Sequence, residues 1–150
     1  MYDIVGNMTT ATLDTNILVA AFASKGASHA LIFEELLASR FEMAVSVALL
    51  LEYEDVLTRP AMLKKFGTGA AEVRNALTLI TALSRQVPIY FSVKPALPDP
   101  DDERVLECVT ASQSQYLLTL NIKHFAEAAQ RFGFQILSPG AFLNMLRRKN

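Results

Sequence analysis

The stretch Ala11-Thr12-Leu13-Asp14-Thr15-Asn16-Ile17-Leu18-Val19-Ala20-Ala21-Phe22-Ala23 changes backbone character at one acidic residue. Ala11–Leu13 is a short run that reads as a buried strand, and Asn16–Ala23 is long enough and apolar enough for a helix. Asp14 stands at the junction, at the strand's carboxyl end and beside buried surface. Two explanations fit it on spacing alone. It can cap the helix by accepting an orphan backbone N–H, or it can belong to a site at the carboxyl edge of a sheet, where open α/β sheets bind their ligands.

The same alternation continues outward from this stretch. His29–Ser39 reads as a helix and Met43–Val45 as a strand. Ser46 is placed to cap a helix running to about Thr58. Pro60–Phe66 forms a short helix, broken by Gly67-Thr68-Gly69, and Ala70–Arg85 a long amphipathic one. Val87–Phe91 reads as a third strand. After the stiff Pro95–Pro98 loop, Asp99-Pro100 opens a helix with proline where no N–H is needed. Tyr116–Leu120 and Phe134–Leu137 are further strands, followed by helices at Ile122–Phe132 and from Ser138-Pro139 onward. Short strands separated by helices predict an α/β fold with a short, mostly parallel central sheet covered on both faces.

Composition narrows the class. The chain has 150 residues, 14 Lys+Arg against 15 Asp+Glu, and one Cys. The length predicts one domain over 1–150, with a core at about 11–143, a short N-terminal extension and a basic Arg147-Arg148-Lys149 tail. Cys108 has no partner for an intrachain disulfide or a CxxC knuckle, which predicts a reduced, cytoplasmic protein. The start MYDIVGNMTT lacks the features of a signal peptide. Runs such as Ile17–Ala23 and Val45–Leu51 are too short to span a bilayer, so no membrane partner is expected. A hydrophobic fraction of 51% predicts a well-filled core, or an apolar surface covered by a partner or second copy. Near-zero net charge excludes a bulk cationic coat for nucleic acid, but not a local basic patch.

The acids then need placing. In the helix after Ser46, the apolar face centres on Leu49, Tyr53, Val56 and Leu57. Glu52 flanks it more closely than Glu54, and Asp55 points away. In Asp99-Pro100-Asp101-Asp102-Glu103, the helix dipole alone accounts for acids in a first turn. Asp102, however, lines up with the buried stripe of Val105, Leu106 and Val109, whereas Asp101 and Glu103 fall to either side and are expected in solvent. Asn121 follows the fourth strand as Asp14 follows the first, with Thr119 nearby; both also read as plain loop residues. Carboxylates converging without partners would repel one another or protonate. A hard divalent cation, Mg²⁺ or Mn²⁺, resolves that conflict with oxygen ligands.

These residues carry a resemblance. LDTNILVAA, SVALLLEYEDVLTRP, PDPDDERVLECV, QYLLTLNIKHF and ILSPGAFL, in that order over about residues 11–143, resemble a PIN domain of the toxin–antitoxin branch, the relatives of VapC. The resemblance implies a three-layer α/β/α sandwich and a Mg²⁺- or Mn²⁺-dependent endoribonuclease. A metal-activated water would cleave the phosphodiester, leaving 5′-phosphate and 3′-hydroxyl ends. It implies a metal set of Asp14, Glu52, Asp102 and the extra acid Asp99, with Asn121 completing the catalytic residues. Many members have Asp where Asn121 stands, which leaves the number of metals open. Asn16, Ser46 and Thr119 match positions lining the site, and His124 replaces an acid of some members, with no role assigned. Arg104 and Lys123 flank the expected mouth and are the leading RNA contacts, ahead of Lys25 and the basic tail. A small antitoxin and a second copy of the chain are the implied partners. The alternative is a catalytically weak PIN module that binds RNA or a protein through the same pocket. A phosphatase or receiver domain built on Asp14 fits poorly: the former wants Asp at position 16, and the latter an acidic pair and a later Lys.

Overall fold

The structure, a computed structural model of the chain, describes residues 8–24, 28–89 and 100–149, apart from the side chains of His29, Pro100 and Asp101. Five strands form one sheet: β1 Thr10–Leu13, β2 Glu42–Val45, β3 Arg85–Gln86, β4 Tyr116–Leu118 and β5 Gln135–Leu137. The order is β3-β2-β1-β4-β5 and every pairing is parallel. Among the described residues eight helices cover the sheet: α1 Thr15–Ala23, α2 Ser28–Leu37, α3 Val47–Leu57, α4 Pro60–Phe66, α5 Ala70–Leu83, α6 Pro100–Ser112, α7 Ile122–Phe132 and α8 Pro139–Lys149. This is the three-layer α/β/α arrangement expected from the alternation. None of the helices is long and apolar enough to cross a membrane.

β1 lies at the centre, and all four of its residues are buried. A strand covered on both faces by helices reads as a continuous buried run, which is why Ala11–Leu13 was legible. Its one polar residue in that run, Thr12, is bonded to Ser114 at 2.9 Å and to the Cys108 sulfur at 3.8 Å. Burial of a hydroxyl is tolerated when it is hydrogen-bonded. At the far side of the sheet, Phe41 and Tyr116 both meet the Phe142 ring edge-on, tying β4 and the chain before β2 to α8.

The third strand is displaced from the sequence reading, and several element ends shift by one or two residues. α5 ends at Leu83, and β3 begins at Arg85, inside the stretch expected to be helical. Ser84 leaves the helix in extended backbone, at φ −101° and ψ 158°. The Arg85 guanidinium then reaches Glu42 at 2.6 Å and the Ser112 carbonyl at 2.9 Å, drawing this segment to the edge beside β2. The third strand expected at Val87–Phe91 is thus found two residues earlier: Val87 donates to the Val45 carbonyl, but residues 87–89 are not strand, and residues 90 and 91 lie outside the described residues. β4 ends at Leu118 rather than Leu120, level with the ends of its neighbours β1 and β5 at Leu13 and Leu137; Thr119, next in the chain, turns its side chain onto Asp14.

Candidate active site

The register of the central strands assembles the site. Leu13 pairs with Leu118, and the Asp14 N–H donates to the Leu118 carbonyl at 2.9 Å. Asp14 and Thr119 therefore leave the sheet side by side, each one residue past its strand. Asp14 is at the N-cap position of α1, yet its side chain makes no capping bond. The carboxylate accepts from the Thr119 hydroxyl at 2.7 Å and also interacts with the backbone N–H of Thr15, the first of α1, so it serves the helix end and faces Thr119 at once. Asp14 is only 7% exposed. Burial most of all, and repulsion from the neighbouring Asp102, push its pKa up, while the Thr119 bond, the Thr15 backbone N–H and, least, His124 pull it down.

Thr119 is the hub. With its one proton committed to Asp14, its oxygen accepts from the Asn121 N–H at 3.0 Å and from the Asn16 side-chain amide at 3.5 Å. The Asn16 carbonyl oxygen accepts in turn from the Leu120 N–H at 3.3 Å. An amide serves here because it carries a donor and an acceptor together; a carboxylate would have no donor for Thr119.

α3 brings Glu52 from the other side. Of its acids, Glu52 is 6% exposed, whereas Glu54 and Asp55 face solvent and pair with Arg74 and Arg59. The narrow preference of the helical period for Glu52 was correct. Its Oε2 accepts from Thr15 at 2.5 Å, and its Oε1 faces the Arg104 guanidinium at 3.4 Å. Next to it, Tyr53 is fully buried and donates its hydroxyl to the Leu13 carbonyl, the last one before Asp14. Burial pushes the Tyr53 pKa well up, so it stays a neutral donor. Ser46 caps α3, accepting from the Leu49 N–H at 3.1 Å. It also bonds Cys108, so its hydroxyl is committed to the fold.

α6 supplies Asp102, 9% exposed. Its Oδ2 lies 3.2 Å from Nδ1 of His124 on α7. Glu103 corrects the sequence reading: expected in solvent, it is 8% exposed. α6 packs against the sheet, α3 and α7 together, so its covered sector is wider than one apolar stripe. Asn121 is exposed at the start of α7, and its side chain makes no capping bond; its backbone N–H donates to Thr119 and its carbonyl accepts from the His124 N–H. Lys123 is exposed, and Arg104 is about half exposed while facing Glu52. Asp99, Lys25 and the Asp101 side chain lie outside the described residues. Burial pushes the Cys108 thiol up to about 11, which fits a core residue and not a nucleophile.

With this geometry in place, comparison with known proteins is informative. The sequence profile of the PIN domain family matches residues 10–123, from β1 to the start of α7. The chain belongs to the PIN domain family. Among solved structures, it is similar to a chain of VapBC2 from Rickettsia felis bound to a DNA fragment from their promoter. The likeness has a TM-score of 0.58 and 19% identity, covering 86% of this chain and 98% of that one. At that identity it shows a shared fold. No curated protein matches.

The donor set of this PIN domain fits a hard cation. Asp14 and Asp102 are both buried, and each raises the cost of charge on the other; a divalent cation removes that cost. Among the described residues, no three His, Cys, Asp or Glu side chains converge closely enough to hold a metal by themselves. That is compatible with Mg²⁺, which keeps several waters and is held by one or two carboxylates plus substrate phosphate. Sequence reasoning missed Thr15, which fixes Glu52, and gave His124 no role. Both lie beside a recognised position, Thr15 directly after Asp14 and His124 one turn after Asn121. Neither stands on an apolar stripe that would mark it as facing inward.

Proposed function

We propose that this PIN domain is a metal-dependent endoribonuclease acting as the toxin of a type II toxin–antitoxin pair in the cytoplasm. The observation that carries the reading is the pair of buried, mutually repelling carboxylates Asp14 and Asp102 beyond the carboxyl ends of the central strands. Asp14 and Asp102 would hold Mg²⁺ or Mn²⁺, with Glu52 facing the same edge and Asp99 a further ligand. The cation, when bound, supplies Lewis acidity toward a phosphodiester and makes its attacking water more acidic. The chain's own residues do the rest. Thr119 orients Asp14, Thr15 and Arg104 hold Glu52, and Asn121 stands at the mouth as a neutral group able to orient water. Arg104 and Lys123 meet the RNA backbone.

The partners follow the same reading. The similar Rickettsia felis chain comes from a VapBC2 complex, and a small antitoxin is the corresponding partner here. Val47 and Leu51 on α3, and Leu120 and Ile122 beside the site, are exposed apolar residues suited to cover by an antitoxin or a second copy.

The test is Mn²⁺-dependent cleavage of RNA by wild type and by Asp14→Asn, Glu52→Gln and Asp102→Asn. Each substitution is expected to lower the rate at least 100-fold, on the scale of losing one electrostatic group in an active site, with the fold intact by circular dichroism. Full activity in all three removes the site assignment. The neutral Asn121 favours one second reading, a weak PIN module. Its signature would be RNA binding without turnover, unchanged by Asp14→Asn.

A further inference from the structure

His124 meets Asp102 where α7 packs against α6. His124 is more than half exposed, with 54% of its side chain accessible, while the Asp102 side chain is 13% exposed. His124 therefore has little packing to gain from lying against α6. The Nδ1–Oδ2 separation is 3.2 Å, within reach of a bond donated by an Nδ1–H to a carboxylate, which when ionised can only accept. Asn121, one turn earlier on the same element, supplies a backbone carbonyl to the His124 N–H at 3.1 Å. The start of α7, and with it His124, is thereby tied to the end of β4.

We propose that His124 is a positioning residue for the cation site: its Nδ1–H holds the Asp102 carboxylate, which would be a metal ligand together with Asp14. This rests on the metal-dependent reading above. The role is that of an outer-shell donor. Such donors set the direction of a ligand's lone pairs, and their loss typically weakens metal binding about 10- to 100-fold. The site thereby gains a directional N–H where a further carboxylate would add repulsion.

The readout is Mn²⁺ binding to the intact protein, followed by melting temperature and by calorimetry without RNA. Wild type is compared with His124→Ala and His124→Asn; the Asn amide nitrogen can take the place of Nδ1, so it keeps the donor. Because the residue is exposed, the metal-free melting temperature should be unchanged in both. Mn²⁺ affinity should fall about tenfold or more in His124→Ala and stay within about threefold of wild type in His124→Asn. Equal Mn²⁺ affinity in wild type and His124→Ala overturns the proposal while leaving the metal reading in place. An Asn variant as weak as the Ala variant also overturns it, since the N–H would then not be the operative group. A wild type indifferent to Mn²⁺ overturns both.

Discussion

Asp14 is held as a charge in a place that disfavours charge. Its pKa is raised above the ordinary 3.8 chiefly by burial, so in the metal-free protein the folded state binds its proton more tightly than the unfolded state. Between the unfolded value and the raised folded one, the native state carries more protons. Stability from this group is complete below the unfolded value and is lost as pH rises through the folded one. Asp14→Asn removes that loss while keeping an oxygen for Thr119 to donate to. Urea melts without metal should show the variant gaining on wild type as pH rises from 4 to 7; a constant difference across that range would contradict the sign. The same residue shows what a sequence can and cannot reveal. That Asp14 sits at a strand end beside buried surface was legible from the apolar runs around it. Whether it caps or serves a site was not, because both need the same position and differ only in where one carboxylate turns. The periodicity of α3 did separate Glu52 from Glu54, since one side chain flanks the apolar face and the other falls just beyond it. It failed for Glu103, because three elements cover α6 and a single stripe underestimates its buried arc.

At the scale of elements, α3 does two jobs from adjacent positions. Glu52 faces the site, and Tyr53 pins the β1 terminus through the Leu13 carbonyl. Tyr53→Phe leaves that carbonyl without its donor in a dry environment, at a cost of about 1–3 kcal/mol. Because the bond ends one residue before Asp14, RNA cleavage should fall along with stability in a denaturant melt. Ser46→Ala removes the α3 cap at about 1 kcal/mol. Its hydroxyl is spent on Leu49 and Cys108, so cleavage per folded molecule should be unchanged. A rate loss in Ser46→Ala beyond its loss of folded protein would return Ser46 to the site lining. The α5–β3 boundary was illegible for a related reason: nothing local marks Arg85 as a strand residue. Its place is set by Glu42 and Ser112, which lie 43 and 27 positions away.

For the whole molecule, 14 basic and 15 acidic residues nearly cancel, and their arrangement matters more than their sum. Buried acids gather at one edge of the sheet, and Arg104 and Lys123 stand near that edge. RNA affinity should therefore depend on salt only modestly, with a slope of about 0.7 per phosphate contact on single strands. Lys123→Ala should weaken binding and lower that slope by about one contact in filter binding from 50 to 200 mM salt. An unchanged slope would move the contact elsewhere, with the Arg147-Arg148-Lys149 tail next to be tested. Arg104 is less simple, because it faces Glu52 as well, and Arg104→Ala is expected to alter cleavage and binding together.

The hydrogen bond from Thr119 to Asp14 joins residues 105 positions apart, and β4 enters the sheet only beside a strand made near the start of the chain. Half of the pocket is therefore synthesised long before the other half exists. A nascent chain carrying Asp14 and Glu52 but not yet Asp102, Thr119 and His124 has no pocket, however well its first helices have formed. On the proposed reading of an RNA-cutting site, this order of synthesis is a safeguard: the chain stays harmless to its own message until the later half of the pocket has been made.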